Sequence, residues 1–117
     1  MNQRDAINFF LREIPSLQER INRQDFFHCQ VSLFATYTQE QIHNVNKKEL
    51  KKCFEVARKC LLNGDQEVKN ALVVSYLAHL NFADQKKIRS WAKTLLPELL
   101  KKELNQYEDY SKHLFNL

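Results

Sequence analysis

The chain has 117 residues with a single glycine and two prolines, and 18 Lys plus Arg against 14 Asp plus Glu give a net charge of +4. Glycine averages about 7% of a soluble chain. Dinucleotide loops, phosphate-binding loops, nucleophile elbows and tight hairpins draw on several glycines at fixed spacings, so this composition excludes those chemistries and a β-rich fold. What remains is an all-α bundle. At 44% hydrophobic, the chain can bury an ordinary core as one helical domain over residues 1–117.

The first predicted helix, Asp5–Ile14, carries Ile7, Phe10, Leu11 and Ile14 on one face. Pro15 ends it. Ser16 and Glu19 match a capping box, which predicts a second helix running to about Tyr37 with a break near Asp25. Leu17, Ile21, Phe27, Val31 and Phe34 form its apolar positions. The polar stretch Thr38–Val45 is expected to be a loop, and Asn46 to cap a third helix over Lys47–Leu62. That helix is amphipathic: Leu50, Cys53, Phe54, Ala57, Cys60 and Leu61 form one stripe, and Lys48, Lys51, Lys52, Glu55, Arg58 and Lys59 cover much of the rest.

The lone glycine, Gly64, is expected in the left-handed conformation that ends this helix, with Asp65 capping the next. The fourth helix, about 66–80, is apolar around almost its whole circumference through Ala71–Leu80 and reads as the buried centre. A turn over Asn81–Asp84 leads to a fifth helix, Gln85–Leu96, with Ile88, Trp91, Ala92, Leu95 and Leu96 inward. Pro97 either kinks it or opens a sixth helix, reaching about Leu114 and burying Leu100, Leu104, Tyr107 and Leu114. The total is a compact bundle of five or six helices.

Catalytic and metal-binding chemistry find little purchase in this pattern. His28, His43, His79 and His113 are scattered, with no pair spaced to place two ligands on one helical face. Cys53 and Cys60 share a face but lie two turns apart, about 10.5 Å along the axis, so no metal and no cofactor are expected. Cys29, Cys53 and Cys60 sit in apolar stretches and read as buried thiols of a reducing cytoplasm. Ser75 and His79, at i and i+4, are the sharpest acid–base pair, and a buried structural pair explains them equally. No enzyme activity is expected. The N-terminus carries no secretion-signal pattern, and the longest nearly apolar run, Ala71–Leu80, is far short of the roughly 20 residues that span a bilayer.

Two surfaces suggest partners. Lys48, Lys51 and Lys52 with Lys86, Lys87 and Arg89 form a nucleic-acid contact surface if their helices lie side by side, although Glu49, Glu55 and Asp84 interrupt it. Around Tyr107 and Tyr110, by contrast, Glu103, Glu108 and Asp109 make an acidic, aromatic stretch without a base, a combination suited to a basic protein partner. A solvated helix face accounts for either run of charge as well.

The segment Asn63–Leu80, with its Gly-Asp turn followed by Val68, Asn70-Ala71, Val74-Ser75 and Leu77, resembles an uncharacterised family of small helical bacterial proteins, with vaguer agreement at Lys86–Arg89 and Trp91. Stand-alone chains of this kind are similar to immunity proteins of contact-dependent and polymorphic toxin systems. The resemblance implies a cytoplasmic binding protein that covers the active site or an essential surface of a cognate toxin, possessing no catalytic residues of its own. An acidic residue often stands near the end of the central helix in that family, where this chain has Ala78-His79. A helical nucleic-acid-binding regulator is the alternative.

Overall fold

Asn2 and Asp5 start the first helix by capping each other. The Asn2 side chain accepts from the Asp5 N–H at 2.9 Å, and the Asp5 carboxylate accepts from the Asn2 N–H at 3.0 Å, a reciprocal capping box that opens α1 (Gln3–Glu13). The computed structural model describes residues 1–82 and 90–115. Ser16 does not cap. Pro15–Leu17 form a 3-10 turn in which the N–H groups of Leu17 and Gln18 already bond to the carbonyls of Ile14 and Pro15, so α2 (Gln18–Asn22) begins without a side-chain cap. Glu19 instead pairs with Arg23 at 2.7 Å.

The chain breaks near Asp25, as expected, and α3 then runs over Phe27–His43. It therefore continues through most of the stretch expected as a loop. Thr38, Gln41 and Ile42 are buried, and the polar groups among them are satisfied. The Thr38 hydroxyl lies 3.0 Å from the Phe34 carbonyl and 2.9 Å from the Tyr76 hydroxyl, and the Gln41 amide donates to the Tyr37 carbonyl at 3.2 Å. Polarity there marks an interior face with internal partners rather than a solvated loop.

Asn46 caps α4 (Lys47–Asn63) through the Glu49 N–H, and all six residues of its predicted apolar stripe are buried. Between α3 and α4, Val45 adopts φ 55°, the left-handed region. Its N–H bonds to the Ile42 carbonyl and that of Asn46 to the Gln41 carbonyl, the pair of bonds that closes a Schellman turn, with valine in the place where glycine usually sits. Gly64 is the reverse case. Its φ of −72° and ψ of 156° are ordinary extended backbone, which corrects the left-handed expectation. The reason for glycine is closeness: a Cβ there would lie 2.5 Å from both the Cys60 carbonyl oxygen and Val68 Cγ1.

Asp65 accepts from the Val68 N–H and caps α5 (Gln66–Ala71). The chain then widens into a π-helical turn over Leu72–Tyr76 and tightens into a 3-10 turn over Leu77–His79. This composite helix touches α1, α3 and α4, and its latter part meets α7 (Glu98–Phe115), so the apolar segment is central as expected. Phe34 is the hub of the core. Its ring stacks on Tyr76 at 4.6 Å and meets Phe10 at 4.7 Å, joining α1, α3 and the π turn through two aromatic contacts that each contribute about 0.5–1.5 kcal/mol beyond buried area.

After residue 90 the chain forms α6 (Ser90–Thr94) and α7. Ala92, Leu96, Leu100 and Leu104 are buried, whereas Trp91, Leu95 and Tyr107, expected inside, are half-buried at its edge. The predicted turn and helix start at Asp84, Gln85 and Ile88, and the Leu114 side chain, lie outside the described residues. Among the described residues the structure is all-α, and no helix is long and apolar enough to cross a membrane.

Candidate functional site

On α7, Leu100 and Leu104 turn into the core, and this fixes where the acidic and tyrosine side chains point. Glu103 and Tyr110 are seven residues apart, about 20° from coincidence around the axis, whereas Glu108 and Asp109 stand about 140° and 240° from Glu103. Glu103 is half-buried, Glu108 and Asp109 are exposed, and Tyr110 is 62% exposed. Helical geometry therefore brings Glu103 and Tyr110 onto one line and spreads the other two acids around the helix. Glu98 pairs with Lys101 at 3.5 Å, but Glu103, Glu108 and Asp109 form no ion pair among the described residues.

Two grooves flank this helix. One, of about 450 Å³, lies between α7 and the α4–α5 corner and is bordered by Leu61, Leu62, Lys69, Val73, Leu99 and Glu103. The other, of about 400 Å³, runs beside the end of the central helix, with Lys93 and Glu108 among its walls. Asp109 faces neither of them. It borders a third, shallower depression with Lys101 and Lys102.

Lys48, Lys51 and Lys52 are exposed on α4 and unpaired among the described residues. Of the acids that interrupt the basic run in sequence, Asp84 lies outside the described residues and the other two are engaged elsewhere. Glu49 accepts from the Tyr37 hydroxyl at 2.8 Å, and Glu55 holds Arg58 by two bonds of 2.6 and 2.9 Å that keep its carboxyl below the usual range. Lys47 lies 5.6 Å over the Trp91 ring, which brings α6 close to the start of α4. Lys86, Lys87 and Arg89 lie outside the described residues.

Ser75 and His79 do not pair. Because the chain leaves α-helical geometry at the π turn, the i,i+4 alignment is lost; His79 is exposed, and Ser75 Oγ instead lies 2.6 Å from Nδ1 of His28 on α3. Sequence reasoning missed this contact because the two residues are 47 apart and neither spacing nor periodicity links them. Neither residue lines either groove beside α7, so the pair faces no cavity there in which a substrate could sit. Cys29, expected buried, is exposed because α3 turns Phe27, Val31 and Phe34 inward instead. Cys53 and Cys60 are buried, and burial pushes both thiols up to about 12, leaving them protonated and poor nucleophiles at neutral pH. The Tyr76 hydroxyl is held well above its usual value by the same cause.

No curated protein and no solved structure matches the chain. One family does, over residues 7–112, and the chain belongs to it: the family described as a domain of unknown function, DUF7674.

Proposed function

We propose that the protein acts by binding another protein, as an immunity-type inhibitor that covers the active site or an essential surface of a cognate toxin domain. The contact surface wraps the outward sides of α7 and includes Glu103 and Tyr110 along one line, with Glu108 and Asp109 on the flanks to either side. One observation carries this reading: on a chain of net charge +4, these acids are unpaired among the described residues, and Glu103 lies on one line of α7 with a tyrosine that is 62% exposed. Carboxylates steer a basic partner toward the face, and tyrosine supplies area to bury on arrival. Such a role requires no catalytic group, metal or cofactor. It places the protein in the cytoplasm, where free cysteines remain reduced.

Co-expression with a toxic protein encoded beside this chain's own gene tests the role. Cells carrying the intact protein should survive, and survival no better than with empty vector would end the proposal. A second reading, a nucleic-acid-binding regulator, is favoured by the exposed, unpaired lysines Lys48, Lys51 and Lys52. It requires duplex binding that weakens steeply with salt, and binding absent near physiological salt removes it.

A further inference from the structure

The groove between α7 and the α4–α5 corner has an apolar floor and opposite charges on its two rims. Leu61 is buried at its base, Val73 and Leu99 are half-buried along it, and Leu62 stands 57% exposed at its edge. Glu103 borders the α7 side and Lys69 the α5 side, and neither forms an ion pair among the described residues. Gln66 and Asn70, one turn apart on α5, also border the groove, and their amides have no partner among the described residues. Leu99, Glu103 and Tyr110 fall within about 40° of one another around α7 and span about 16 Å along it. The groove is thus continuous with the face assigned above to a protein partner.

We infer that this groove, given the protein-binding role proposed above, receives a short partner segment that seats an apolar side chain on Leu61, Val73 and Leu99 and presents a Lys or Arg to Glu103. Charge complementarity selects that occupant. Glu103 is half-buried and unpaired, so an incoming cation meets it in surroundings less screened than open solvent. Lys69, exposed on the opposite rim, repels the same cation and orients the segment with its base toward α7. The free amides of Gln66 and Asn70 can each donate to and accept from the segment's backbone.

Selection of a random peptide library on the immobilised full chain tests the assignment. The enriched peptides should share an apolar residue with Lys or Arg within about one helical turn. A selected peptide should bind about tenfold or more weakly to Glu103→Lys and to Leu62→Asp, and as before to Lys48→Glu. Both groove substitutions fall on partly or largely exposed side chains, and unchanged thermal unfolding of each variant secures the comparison. No enrichment, enrichment of acidic peptides, or binding indifferent to Glu103→Lys and Leu62→Asp would overturn the inference. The two proposals fail separately. If both groove variants still protect cells from the toxin while Glu108→Lys with Asp109→Lys does not, the groove assignment falls and the inhibitor role stands. If the intact protein gives no protection but the peptides bind as described, the reverse holds.

Discussion

The two ends of α4 solve the same problem in opposite ways. At its start, Val45 turns the chain with φ 55°, a conformation that usually falls to glycine. At its end, the only glycine of the sequence sits in ordinary extended backbone, and a side chain there would strike the Cys60 carbonyl and Val68. The first turn is half-exposed and tolerates strain; the second is packed too closely to accept a methyl group. Glycine has been placed where space is short rather than where the dihedral angle is unusual. The tight corner also builds one wall of the α7 groove, through Leu61, Leu62, Gln66 and Lys69, whereas the strained turn adjoins the lysine-bearing end of α4.

The largest effect should come from Gly64→Ala. The added Cβ meets a backbone oxygen at 2.5 Å, which cannot rotate away, so the corner must open at a cost of about 1–3 kcal/mol. Urea unfolding measures this, and an unchanged or raised midpoint would show that the corner has slack. Removing either flanking cap, by Asp65→Ala or Asn46→Ala, should cost about 1 kcal/mol. Equal losses are expected because each side chain satisfies one backbone N–H, at Val68 and Glu49 respectively. Val45→Asn should do the opposite and stabilise by about 0.5–1 kcal/mol, since asparagine tolerates the left-handed region that valine enters at a cost. A loss of stability would mean that Val45 is held there by packing rather than in spite of strain.

The thiols report on the two halves of α4 with the smallest perturbation. Under native conditions Cys29 should react with a thiol reagent while Cys53 and Cys60 are protected until the protein unfolds, and in Gly64→Ala protection should fall at Cys60 before Cys53. Rapid labelling of all three in the native protein would contradict the burial. The same groups set an alkaline limit. Folded Cys53 and Cys60 keep their protons to about pH 12, whereas unfolded thiols release them near 9.0. Their contribution to stability is therefore full below pH 9.0 and is lost between 9.0 and about 12, a decline that urea midpoints measured across that range would reveal.

Much of this architecture is local and could be read directly from the chain. Asn46 and Asp65 cap the helices they were expected to cap, and the α4 stripe from Leu50 to Leu61 is buried, because capping and periodicity depend on residues within one or two turns. Two of the failures are non-local. Thr38 looked like loop because its partner, Tyr76, is 38 residues away. Ser75 pairs with His28 rather than His79 because a π turn, which has no sequence signature here, rotates the helix between them. A third failure is local: Ser16 with Glu19 reads as a capping box, yet the backbone donors of that turn are taken by the preceding carbonyls. The α7 acids were legible as residues, but the groove that sets Glu103 apart from Glu108 and Asp109 exists only once α4, α5 and α7 pack together.

The central claim, that the exposed surface of α7 receives a basic protein partner, meets its most direct test in the association rate, at low salt, with a toxin domain that the protein neutralises on co-expression. Replacing Glu108 and Asp109 together by lysine should slow association by about tenfold and flatten its dependence on salt, because exposed rim charges act mainly on encounter. An association rate that is the same for both proteins across the salt range would contradict the account and place the contact surface elsewhere on the bundle.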